Sequence, residues 1–98
     1  MAKYVFAYKG GRMAETEQEQ QAAMQAWGAW FGELGSAVVD AGNPFNGSKA
    51  VGGDGTPGLT GYSIVTADNL DAASRLAEGS PVLANGGSVE VYEVLEIM

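Results

Sequence analysis

Residues 61–97, GYSIVTADNLDAASRLAEGSPVLANGGSVEVYEVLEI, lay out a strand, a capped helix, a loop and a closing strand, and nearly every position fits that order. Gly61–Thr66 has the β-branched and aromatic content of a strand. Asp68 is the expected cap of a helix with Asp71 in its first turn, where negative charge meets the positive end of the helix dipole. Leu70, Ala73, Leu76 and Ala77 form its apolar face. Asp71 and Arg75 stand four apart for an ion pair, and Gly79 with Pro81 stops the helix. Ser88–Ile97 alternates, with Val89, Val91, Leu95 and Ile97 on one face and Tyr92 and Val94 among glutamates on the other.

The first half repeats this plan. Lys3–Tyr8 is apolar on both faces, Tyr4, Phe6 and Tyr8 on one and Val5 and Ala7 on the other, which predicts a central strand. Gly10 and Gly11 break it. Thr16-Glu17-Gln18-Glu19 has the spacing of a capping box, in which a hydroxyl and a carboxylate each satisfy a backbone N–H at a helix start. The helix should run over 17–34, with Gly35 as its left-handed C-terminal cap. Ala23, Trp27, Phe31 and Leu34 fall on one stripe flanked by Met24 and Trp30, while Gln25, Ala29 and Glu33 point away. Gly28 and Gly32 each cost roughly 1 kcal/mol relative to Ala. They form a smooth strip that either makes room for the tryptophans or lets a backbone or ligand approach. Ala37–Ala41 is the second strand, ended by Gly42-Asn43-Pro44.

From Gly42 to Gly61 there are seven glycines and two prolines in twenty residues, which excludes a regular helix. Lys49-Ala50-Val51 is a candidate hairpin arm beside the turn dipeptide Asp54-Gly55, and a long lid over a pocket is the other reading. The full order is strand, helix, strand, glycine-rich region, strand, helix, strand. This is a single-domain, ferredoxin-like α+β fold over 1–98, an antiparallel sheet with two helices on one face. Two helices cover only that face, yet the strands are apolar on both. The expectation is a homodimer whose sheets pack face to face.

Ninety-eight residues with twelve acidic and five basic side chains carry a net charge of −7, which argues against nucleic acid and anionic membranes as partners. No cysteine and no histidine occur, so disulfides, thiolate chemistry and imidazole catalysis are excluded. An N-terminal apolar run of five residues, Tyr4 to Tyr8, is too short for a signal-peptide core or a membrane span, and a cytoplasmic protein is expected. Asp40, Asp54 and Asp68 lie in separate elements without the spacing of a Ca²⁺ loop, so no metal is expected. Gly52-Gly53-Asp54-Gly55 lacks the Gly-Lys-Ser/Thr of a phosphate loop, and Ser48 and Ser63 have no visible base. No cofactor is expected.

On the segments GELGSAVVDAGNPF, DGTPGLTGYSIVTADNLDAASRLAEGSP and GGSVEVYEV the chain resembles the YCII-related family of dimeric α/β-barrel proteins, including its DGPF-type branch. Where that branch has Asp-Gly-Pro-Phe, this chain has Asp54-Gly55-Thr56-Pro57. The resemblance implies a dimer with a cleft between the sheet and the first helix. In some members it also implies chemistry resting on a His–Asp pair. The position that would carry the His falls near Met24; Asp40 remains on the second strand, but a lone carboxylate cannot run the same acid–base exchange.

The residues expected to line a small-molecule pocket are Tyr8, Trp27, Trp30, Asp40, Asn43, Asn46 and Tyr62, apolar walls with a few polar groups. Packing of the first helix is the competing role for both tryptophans. Two functions fit this set. One is a non-catalytic small-molecule-binding or regulatory homodimer. The other is a cofactor-independent enzyme, monooxygenase-, isomerase- or lyase-like, in which the substrate supplies the reactivity. A cleft filled by Trp27 and Trp30 would argue against the second.

Overall fold

The computed structural model describes residues 2–11, 14–55 and 58–97. Strand β1 (Ala2–Lys9) leads into helix α1 (Glu17–Leu34), a 3-10 turn at Gly35–Ala37 and the short strand β2 (Val38–Asp40). Strand β3 (Leu59–Ala67), helix α2 (Leu70–Ala77), a one-turn helix α3 (Pro81–Ala84) and strand β4 (Ser88–Glu93) complete the chain. The sheet order is β2-β3-β1-β4, antiparallel throughout, so the strand that is apolar on both faces is central, as its pattern requires.

Side chains alternate across a strand, and the register therefore sorts the sheet into two faces. Tyr4, Phe6 and Tyr8 stand opposite Val65, Ser63 and Gly61, and with Trp30, Ala67, Ala73, Ala77 and Val82 they make the core under the helices. Val5 pairs with Ile64 and Tyr92, and Ala7 with Tyr62 and Glu90, on the face the helices leave open.

Helix α1 has the predicted bounds. The Thr16 hydroxyl accepts from Glu19 N–H at 3.1 Å, while the Glu19 carboxylate takes the N–H of Glu15 rather than that of the cap residue. Trp30, predicted as a flank, is the one buried side chain of this helix, and Met24 is 74% exposed. The core thus lies nearer the Trp30 side than the stripe alone indicates. Gly35 has a positive φ of 56° but a ψ of −124°, because the chain tightens into the 3-10 turn instead of forming a left-handed cap.

Several expectations for the second half need correction. Asn69, not Asp68, caps α2, its side chain accepting from Ala72 N–H at 2.8 Å; the two adjacent residues are equally good caps and the helix phase decides. Leu70 is 45% exposed, one turn before the buried Ala73 and Ala77. Pro81 does end α2, but at the first position of α3, where its missing N–H costs nothing. Strand β4 stops at Glu93, leaving Leu95 and Ile97 exposed. Among the described residues the one ion pair is Lys9–Glu90 at 3.6 Å, not Asp71–Arg75. No hairpin arm forms at Lys49–Val51; the glycine-rich region joins the sheet through a Pro44–Gly61 bridge. Thr56 and Pro57, half of the tetrapeptide compared with the DGPF turn, lie outside the described residues.

Candidate ligand-binding site

The seven residues singled out above divide between the two sides of the sheet. Tyr8, Trp27 and Trp30 meet on the helix side. The Trp27 ring stands edge-on to Tyr8 at 4.9 Å and to Trp30 at 5.6 Å, and Phe31 packs against both tryptophans. Trp30 also stacks over Phe6 at 6.0 Å, and its Nε1–H donates to the Leu76 carbonyl at 3.2 Å. Gly79 lies against the same ring: a Cβ there would be 3.1 Å from Trp30 Cδ1 and Nε1. Trp30 therefore joins α1 to the end of α2, and with Trp27 and Phe31 it fills the space between helix and sheet. Gly28 and Gly32 have open space where a Cβ would be, so they do not make room for the tryptophans.

Beneath the rings, Tyr8 OH donates to Ser63 Oγ at 2.7 Å, and Ser63 donates onward to the Ala41 carbonyl at 2.6 Å. Burial pushes the Tyr8 phenol up to about 12, with the Ser63 hydrogen bond pulling it back in part. The phenol is neutral at physiological pH, and its chain of hydrogen bonds ends on a backbone oxygen that cannot take up a proton. This is a satisfied buried network rather than a base poised for catalysis.

Asp40, Asn43, Asn46 and Tyr62 belong to the other side and to the entry of the glycine-rich region. Asp40 Oδ1 accepts from Gly42 N–H at 2.8 Å, an Asx turn that fixes the exit from β2. Gly42 has φ 77°, and a Cβ there would overlap the Tyr62 carbonyl, so only glycine fits. The Asn43 carbonyl accepts from Tyr62 N–H at 3.4 Å, and the Asn43 and Asn46 side chains are exposed. Tyr62 pairs with Ala7 and so faces away from Tyr8.

Phe45, which the sequence reading left out, stacks on Tyr62 at 5.8 Å with the rings 17° apart, and its N–H donates to the Thr60 carbonyl at 2.8 Å. It borders a half-open cavity of about 460 Å³ in the glycine-rich region, lined by Phe45, Leu59, Ala50, Ser48, Lys49 and Asp54 and by the backbone at Gly47, Gly55 and Gly58. Lys49 and Asp54 are the only charged residues between Gly42 and Gly61, a signal visible in the sequence. A second, apolar cavity of about 330 Å³ lies between α2, α3 and β4, lined by Leu70, Leu83, Val89 and Val91 with Ser74 and Glu78. Among the described residues no three acidic side chains converge in a way that would hold a metal ion. Among the described residues no helix is long and apolar enough to cross a membrane.

Comparison with known proteins places this architecture. A match to the YCII-related domain spans residues 2–98, and the chain belongs to that family. No functionally curated protein matches the sequence. Among solved structures, 5-chloro-2-hydroxyhydroquinone dehydrochlorinase (TftG) from Burkholderia phenoliruptrix AC1100, in complex with 2,5-dihydroxybenzoquinone, aligns with a TM-score of 0.62 at 19% identity. The alignment covers 95% of this chain and 93% of that one, and the two share a fold.

Proposed function

We propose that this YCII-related protein is a cytoplasmic homodimer that binds a small molecule without transforming it, in a regulatory role. The observation that carries this reading is a cavity of about 460 Å³ with apolar walls and a few polar groups, in a chain without histidine or cysteine. Asp40, the carboxylate left from the family's His–Asp pair, is engaged by its own turn, and Tyr8 holds its proton. The ligand site lies on the glycine-rich side of the sheet, beside Asn43, Asn46 and the Phe45–Tyr62 stack. Tyr8, Trp27 and Trp30 form the scaffold behind it. Thermal-shift screening against small metabolites should find a compound that raises the melting temperature, since a ligand selective for the native state stabilises it. The same compound should be recovered unchanged after incubation.

Dimerisation is supported by the open sheet face, where Ile64, Val5 and Tyr92 form one row across three strands and Tyr62, Ala7 and Glu90 the next. Sedimentation at micromolar concentration should give a dimer, and Ile64→Glu a monomer.

One observation favours the enzymatic reading: a protein of this fold is a dehydrochlorinase that holds a flat dihydroxyquinone. Turnover of a screened compound that is abolished by Asp40→Asn would establish that reading in place of the first.

A further inference from the structure

Resting on the binding reading, we propose that the cavity of the glycine-rich region takes a small zwitterion, an α-amino acid with an apolar or aromatic side chain. Lys49 receives the carboxylate, Asp54 the ammonium, and Phe45 with Leu59 the side chain.

The single cation and single anion of the region both line one cavity and form no ion pair with each other. A volume of 460 Å³ corresponds to a sphere about 10 Å across, which suits a molecule of amino-acid size reaching both walls. A simple anion would meet the Asp54 carboxylate as well as Lys49, in a protein that already carries a net charge of −7. A simple cation would meet Lys49, and a neutral ring would leave both groups unused. A ligand bearing both signs satisfies both, and the site discriminates against the others by like-charge repulsion.

The apolar part has a prepared surface. Phe45 is 47% and Leu59 39% exposed, and both line the half-open cavity, so their apolar area is available to a ligand side chain. The Phe45 ring is braced by Tyr62, and its backbone is tied to Thr60, so little ordering is needed when a side chain packs on it. The Ser48 hydroxyl lines the same cavity and offers a further donor or acceptor.

Calorimetric titration with L-phenylalanine, L-leucine, 3-phenylpropanoate (no ammonium) and phenethylamine (no carboxylate) tests this on the intact chain. At least one amino acid should bind, and deleting either ligand charge should weaken binding by about tenfold or more. Lys49→Ala should weaken the amino acid by a similar factor while leaving phenethylamine unchanged or tighter. Asp54→Asn should do the same with 3-phenylpropanoate as the insensitive ligand. This crossed pattern ties each ligand charge to one residue. Binding of a neutral planar compound such as hydroquinone, with no binding of either amino acid, overturns the zwitterion assignment and leaves the binding reading standing. Amino-acid binding indifferent to both substitutions overturns the assignment to this cavity. Failure of these probes and of the whole metabolite screen overturns both.

Discussion

Two aromatic stacks, Trp30 on Phe6 and Phe45 on Tyr62, lie on opposite sides of one sheet, and each has a glycine nearby. At Trp30 the glycine seals: Gly79 meets the indole, the Leu76 carbonyl takes its N–H, and the ring is 3% exposed. At Phe45 the chain is anchored by Gly42 and then opens, past Gly47 and Gly58 with nothing near their Cβ positions, into a cavity. The first arrangement uses aromatic area to hold two helices on a sheet. The second leaves aromatic area available, as a binding surface requires. Difference in enclosure, rather than in composition, separates scaffold from site.

That contrast can be broken most forcefully at Trp30. Trp30→Ala should cost about 3–5 kcal/mol in denaturant unfolding, whereas Phe45→Ala should cost less than about 1.5 kcal/mol. Equal losses would place both stacks in one cooperative core. Glycine substitutions separate anchored from open positions within the glycine-rich region. Gly42→Ala meets the Tyr62 carbonyl at positive φ and should cost about 2 kcal/mol or more, while Gly47→Ala, with no atom within 4 Å of its Cβ, should stay within roughly 0.5 kcal/mol. On α1, Gly28→Ala and Gly32→Ala should each stabilise by up to about 1 kcal/mol, since both Cβ positions are open. Destabilisation there would mean that a partner or ligand approaches this strip.

A modest, pH-dependent effect lies beneath the helix. Tyr8→Phe removes the hydrogen bond to Ser63 and should cost about 1 kcal/mol at neutral pH. The folded Tyr8 pKa is raised from 10.0 to about 12, so above pH 10 the unfolded chain loses this proton more readily than the native protein. Its contribution is present in full below pH 10 and is lost as pH rises towards 12. Urea midpoints measured between those values should fall less steeply in Tyr8→Phe than in the parent.

The same contrast explains what was legible in the sequence. The 17–34 helix and the central position of β1 follow from local signals, a cap and an apolar pattern, that need no knowledge of partners. The burial of Trp30 was not legible, because the choice between stripe and flank depends on where α2 ends and on Gly79. Tyr8 and Tyr62 look alike in sequence as pocket-lining aromatics, yet strand alternation puts them on opposite faces once the Tyr8–Gly61 register is known. In the glycine-rich region no periodicity exists to read. The stacking of Phe45 on Tyr62 and the placement of Lys49 and Asp54 along one cavity follow backbone turns at positive-φ glycines, which leave no side-chain pattern.

Hydrogen exchange decides whether ligand binds in the glycine-rich region or among the tryptophans. Amide exchange should be measured with and without the screened compound that most raises the melting temperature. Slowed exchange concentrated between residues 43 and 59, with α1 unchanged, is the predicted result. Protection centred on residues 24–34, with the glycine-rich region unaffected, would contradict it.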